Sequence, residues 1–227
     1  MPAKNIVKSY FEGGYYHVYN RGVEKRIIFL DEQDCHVFLR YIKLYLSPEE
    51  RIRELGETEI RARRFVNLNL ENDVDLICFA LMPNHFHLLL KNKTISGVRK
   101  FMQRLTTAYV MYFNHKYNRI GALFQNIYKA SPVLKDSYLL HLSRYIHNNS
   151  SKLTNDKIPF NDYSSYSYYL NNRIADWLKP QFILDYFKST SPSQEVLNTY
   201  RVFVEGDLSD SLEILTYNAL LLEDSCV

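Results

Sequence analysis

A chain of 227 residues with 46% hydrophobic and 23% charged residues has the composition of an ordinary globular protein able to bury a core. It holds no apolar run near the roughly 20 residues a membrane helix needs, and Met1-Pro2-Ala3-Lys4-Asn5 leads into polar and aromatic residues, so neither a membrane span nor a secretory signal is expected. The formal net charge of +3 conceals an asymmetry: residues 1–150 carry 22 Lys+Arg against 14 Asp+Glu, a net of +8, while residues 151–227 carry 6 against 11, a net of −5.

Tyr15-Tyr16-His17-Val18-Tyr19-Asn20 is aromatic and β-branched and stops at Arg21-Gly22, which predicts a first strand. Asp31 caps a predicted helix to about Leu46, with Cys35, Phe38, Leu39, Ile42 and Leu46 as its apolar stripe. Residues 47–64 are a charged surface insertion, and 65–70 a short extra strand. Leu76 to Met82 is continuously apolar, as in a strand buried on both faces. Pro83-Asn84 turns the chain, because proline cannot continue a central ladder, and His85 to Leu90 resumes as a strand. Ser96 opens a long helix to about Tyr117, residues 127–134 read as a strand, and Asp136 caps a helix reaching about Asn149. Helical patterns near 180–187, 193–204 and 208–222 follow. The order β-α-β-β-α-β predicts an α+β protein: a ferredoxin-like split βαβ antiparallel sheet with helices on one face, plus a C-terminal helical appendage. The expected division is a main domain over 1–150 and the appendage over 151–227.

Two patterns carry chemistry. In a strand, His85 and His87 project from the same face while Phe86 packs the other way, so two imidazoles can meet one divalent cation. On the third helix His141, Tyr145 and Asn149 share a face at i, i+4, i+8 spacing. A phenol is a poor nucleophile until a cation or base favours its oxyanion, and a cation at the His pair would do that. No Asp or Glu occurs between Asp75 and Asp136, whereas Lys91, Lys93, Arg99, Lys100, Arg104, Lys116, Arg119, Lys129 and Lys135 do. Such a stretch suits a polyanion, whose bound counterions are released on contact, and it leaves no carboxylate pair for two-metal hydrolysis. There is no P-loop, GxGxxG after a strand, GxSxG or HExxH. Cys35, Cys78 and Cys226 are scattered without a CxxC, which fits reduced thiols in a cytoplasm.

Several blocks, in order, resemble the IS200-type single-tyrosine transposases, most closely their REP-associated branch. They are Tyr16-His17-Val18-Tyr19-Asn20-Arg21-Gly22, Phe79-Ala80-Leu81-Met82-Pro83-Asn84-His85-Phe86-His87-Leu88-Leu89, Gly121 to Ala130 and Tyr138 to Asn149. The tail, with Tyr163-Ser164-Ser165-Tyr166 and Trp177-Leu178, resembles that branch too. The resemblance implies a HUH-type nuclease in which His85, His87 and, as third ligand, Asn149 hold Mg²⁺ or Mn²⁺. It implies that Tyr145 attacks single-stranded or hairpin DNA and leaves a 5′-phosphotyrosine and a free 3′-OH. Asn148-Asn149-Ser150 departs from the Asn-Pro that many relatives carry after the tyrosine, and Gly121-Ala122 from their Gly-His. Arg21, Asn84, Lys91, Arg104, Arg119, Gln125 and Lys129 are the candidate DNA contacts. Relatives work as dimers with sites shared between chains, whereas the tail here could cover that interface and leave a monomer with its site in cis. The implied setting is the cytoplasm, at the nucleoid. A different class, a non-catalytic single-stranded nucleic-acid binder on the same sheet, predicts binding that survives loss of the His pair and the tyrosine.

Overall fold

A computed structural model describes residues 9–48, 50, 68–151, 158–188 and 195–206. Its sheet consists of β1 (Tyr15–Arg21), β2 (Val74–Met82), β3 (His85–Asn92) and β4 (Lys129–Val133) in the order β2-β3-β1-β4, all neighbours antiparallel. Helix α1 (Glu32–Leu46) links β1 to β2, and α2 (Gly97–Lys116) links β3 to β4. This is the expected split βαβ arrangement. Asp31 caps α1 as the sequence predicts, its carboxylate accepting from Asp34 N at 3.0 Å. Helix α3 (Asp136–Ser151) follows β4, and the described residues continue through the short α4 (Tyr166–Tyr169), α5 (Gln181–Lys188) and α6 (Val196–Glu205).

The expectation of helices on one face holds for α1 and α2 alone. They cover Val18, Leu76, Phe79, Leu81, Phe86, Leu88 and Leu90. The opposite face, with Ile77, Cys78, Ala80 and Leu89, packs against α3 and, through it, α5 and α6. A strand that is apolar on both faces needs cover on both. A bulge between Leu76 and Cys78 helps, putting Ile77 and Cys78 on the same side.

The C-terminal segment is tied into this second core. Leu178 bridges to Leu76 and Ser164 to Ala80 along the outer edge of β2, which blunts an otherwise open edge. A buried polar chain completes the attachment: Tyr200 Oη lies 2.9 Å from His147 Nδ1, His147 Nε2 lies 2.7 Å from Ser165 Oγ, and Phe79 N donates to Ser165 Oγ at 2.9 Å. Arg144 donates to Gly206 O at 2.6 Å and Asn148 to Val204 O at 2.8 Å. The helix bearing Tyr145 is thus pinned on one side by the sheet and on the other by α6.

Most of the charged stretch 47–64 and the whole pattern 208–222 lie outside the described residues. Residues 68–70, the described part of the expected strand over 65–70, form a turn and loop. Asn69 Oδ1 accepts from Glu71 N at 2.9 Å, the local bond by which asparagine favours a turn over a ladder. Cys35 and Cys78 are buried free thiols. No helix among the described residues is long and apolar enough to cross a membrane.

Candidate functional site

Register assembles the site. Antiparallel pairing sets Arg21 opposite His85 and Tyr19 opposite His87, and paired residues share a face. His17, Tyr19, Arg21, His85 and His87 therefore line one side of the sheet, with Lys129 opposite Tyr19 on β4. Helix α3 crosses above and presents Tyr145. The Tyr145 ring centroid is 5.7 Å from that of His87 and 6.4 Å from that of His17. A cavity of about 110 Å³ is lined by Tyr19, Asn20, Arg21, His85, His87, Gln125, Asn126, Ile127, Lys129 and Tyr145.

Each imidazole is oriented by a specific partner. His85 Nδ1 lies 2.7 Å from Asn84 Oδ1. An amide oxygen only accepts, so His85 carries its proton on Nδ1 and leaves Nε2 with a lone pair. Asn84 is itself held, donating to Lys25 O at 3.1 Å while its own carbonyl accepts from Gly22 N at 2.8 Å. Lys25 and its neighbour Glu24 are both left-handed, with φ of 59° and 55°, a conformation non-glycine residues adopt only where the surroundings impose it. His87 Nδ1 lies 2.9 Å from His17 Nε2. Burial holds His85 at a pKa of about 4, with the Arg21 charge pressing the same way. Burial also drives His87 well below the usual histidine range, with His17 and His85 adding to it. Both rings are therefore neutral near neutral pH, the form in which imidazole binds a metal.

Among the described residues there is no group of three or more His, Cys, Asp or Glu side chains suited to a metal. The donor set is two neutral imidazoles in a polar cavity with amides at its rim. It fits a divalent cation whose remaining positions are taken by oxygen from amide, water or phosphate.

The predicted site residues separate into groups. His85, His87, Tyr145, Arg21, Gln125 and Lys129 come together around the cavity. Asn84 stands behind His85 and orients it instead of facing a ligand. Asn149, one turn beyond Tyr145, is half-buried and does not line the cavity; its amide nitrogen is buried and has no hydrogen-bond partner among the described residues. His141 packs against Phe203, the ring centroids 5.7 Å apart and the planes tilted by 56°. Lys91 is at the far end of β3, over the Phe182 ring at 4.1 Å, and six strand residues from His85 amount to about 20 Å. Arg104 donates to Leu68 O on the opposite side of the sheet. Arg119 sits over Phe113 at 5.8 Å beyond the end of α2. These three basic residues belong to the acid-free stretch of sequence but not to the cavity, because a linear charge window ignores which face each element turns outward.

His17, Tyr19, Asn20, Asn126 and Ile127 also stand at or beside the cavity, though none is among the candidate residues above. A signal existed for two of them: His17, Tyr19 and Arg21 alternate along β1, so any strand placing Arg21 at the site places the other two there as well. Asn126 and Ile127 lie in a loop, where no periodicity reveals direction.

A family model described as "Transposase IS200 like" matches residues 36–149. Among solved structures, one described as "Structure of the REP associates tyrosine transposase bound to a REP hairpin" is similar at 14% identity and a TM-score of 0.45, covering 77% of this chain and 91% of that one. No curated protein sequence matches.

Proposed function

The chain belongs to the IS200-like transposase family, and on that premise we propose that it cuts and rejoins single-stranded or hairpin DNA with Tyr145 as nucleophile. The observation that carries this reading is the meeting of Tyr145 with His85 and His87 in one cavity of a single chain. A non-catalytic binder has no need of a phenol beside two neutral imidazoles.

In this reading Tyr145 Oη attacks the scissile phosphorus in line. The P–Oη bond forms, the P–O3′ bond breaks, and the phenolic proton is made up on the departing 3′ oxygen. The products are a 5′-phosphotyrosine and a free 3′-OH. Attack by the same or another 3′-OH reverses the step, so the phosphodiester energy is retained and no nucleotide cofactor is needed. His85 and His87 would hold a Mg²⁺ or Mn²⁺ ion, which would supply charge neutralisation at the phosphate oxygens and favour the phenolate. Asn149 would be the third donor by turning its amide oxygen toward the cavity; its nitrogen, with no partner among the described residues, loses no bond there. Arg21 and Lys129 at the cavity wall hold the backbone phosphates. Ile127, which is 69% exposed, offers apolar surface to an unstacked base, while the buried Tyr19 lies beneath the Lys129 ammonium at 5.8 Å. Because Tyr145 and the His pair meet within one chain, this reading needs no partner subunit to complete the site.

The test is labelled hairpin DNA incubated with Mn²⁺ and run on a denaturing gel. A slow-moving covalent species is expected with the parent protein and is absent with Tyr145→Phe. Cleavage undiminished in Tyr145→Phe would refute the assignment, and binding without cutting in the parent would favour the non-catalytic class.

A further inference from the structure

His17 is the most unusual residue of the site. It is 2% exposed, lies on an inner strand, and its only hydrogen-bond partner among the described residues is another imidazole. Its Nε2 faces His87 Nδ1 at 2.9 Å, and the two rings lie within 21° of one another. Its other nitrogen, Nδ1, is buried with no partner among the described residues. Directly across the sheet, in register with His17, stands Ser131 on β4. Ser131 Oγ is likewise buried and, among the described residues, unpartnered. Buried polar atoms without partners are few in folded proteins, and each calls for an explanation. Here two occur on strand neighbours, on the same face, one residue removed from the proposed cation.

One proton lies between His17 Nε2 and His87 Nδ1, and its owner decides what His87 can do. If His17 holds it, His87 carries its own proton on Nε2 and cannot ligate through that nitrogen. If His87 holds it on Nδ1, its Nε2 has a lone pair and His17 must carry its proton on Nδ1, on the side of Ser131. We propose that His17 is a positioning residue: by accepting a hydrogen bond from His87 Nδ1–H it selects the tautomer whose Nε2 can bind the divalent cation, with Ser131 on the side toward which His17 Nδ1–H donates. Opposed strand residues stand about 4.5–5.5 Å apart at Cβ, and with no direct bond between the two Ser131 Oγ accepts from His17 Nδ1–H across one water. His85 has the same tautomer imposed by Asn84 Oδ1. The pair is thus oriented by two different acceptors, an amide for one ring and a backed imidazole for the other. Outer partners of this kind set ring direction and ligand basicity.

This inference rests on the reading that His85 and His87 hold the cation. Its test is Mn²⁺ binding to the full chain without DNA, followed by titration calorimetry and by loss of the free-Mn²⁺ electron paramagnetic resonance signal. His17→Phe, which keeps a ring and loses the acceptor, is expected to weaken Mn²⁺ binding roughly 10–100-fold. His17→Gln, whose Oε1 stands near the position of Nε2, is expected to recover most of that loss. Equal affinity of His17→Phe and parent, or equal losses in the Phe and Gln variants, would overturn it. Nitrogen-15 spectra of histidine-labelled parent protein read the tautomer without any substitution: His87 protonated on Nδ1 is expected, and protonation on Nε2 would overturn the proposal even if His17 variants do not fold. The two levels separate cleanly. If His85→Ala and His87→Ala leave Mn²⁺ affinity unchanged, the cation reading itself fails and the role of His17 falls with it. If those variants lose binding while His17→Phe keeps it, only the role of His17 fails.

Discussion

Mild acid probes the buried chain that pins the nucleophile helix. His147 is 1% exposed and bonded through both ring nitrogens, to Tyr200 Oη and Ser165 Oγ. Burial lowers its pKa from 6.5 to about 3. The folded value lies below the unfolded one, so the stability associated with the neutral ring is fully present above pH 6.5 and is lost as pH falls toward about 3. At about pH 5 the unfolded chain binds a proton that the folded chain refuses, which is worth about 2 kcal/mol against folding. His17, His85 and His87 push the same way, so the total fall does not isolate His147. A double difference does. His147→Gln keeps a polar side chain but cannot titrate, and its imperfect bonds to Tyr200 and Ser165 cost about 1–3 kcal/mol at neutral pH. Urea unfolding of parent and variant at about pH 7.5 and about pH 5 should show the gap between them closing by about 2 kcal/mol, the other histidines cancelling. Parallel curves would refute the claim that His147 is held neutral by burial.

Gly97→Ala should destabilise by about 1–3 kcal/mol on urea unfolding, although alanine is the better helix former. Its Cβ would come 2.0 Å from the Asp73 carbonyl oxygen, a backbone atom that cannot rotate away. Lys116→Met should cost about 2–3 kcal/mol, because it strips the fully buried Asp34 of its cation at 2.9 Å. The hydroxyls of Tyr112 and Tyr117, each at 2.9 Å, remain bonded to that carboxylate and moderate the loss; an unchanged denaturation midpoint would show the ion pair to be idle. On single-stranded DNA, Lys129→Ala should reduce the slope of log affinity against log salt by about 0.7. Arg104→Ala and Lys91→Ala should leave that slope unaltered, and an equal effect from all three would place the DNA on a different surface.

The order of elements, the two-face burial of β2, the Asp31 cap and the pairing of His85 with His87 are all legible in the chain itself. Each depends on local chemistry or on a period of 2 or 3.6, which a linear string records. The apolar run Leu76–Met82 even announces that both faces of the sheet need cover, although not which helix supplies it. Tyr145 stands out through its block of neighbours, since its helical spacing alone does not distinguish it from half-buried core. Only the tertiary structure decided which members of the basic, acid-free stretch share a site. Lys129 and Arg21 are brought to the cavity by the register of β1 with β3 and β4, while Lys91, Arg104 and Arg119 are turned elsewhere. It also decided that His17 stands behind His87, that Asn84 serves His85, and that α6 braces the helix of Tyr145. Those relations join residues 53 or more positions apart, as with Tyr200 and His147, or 70 apart, as with His17 and His87; the exception is Asn84, whose role turns on a side-chain rotamer beside its neighbour. No periodicity along the chain encodes a strand register or a rotamer, because both are selected by the packing of the whole.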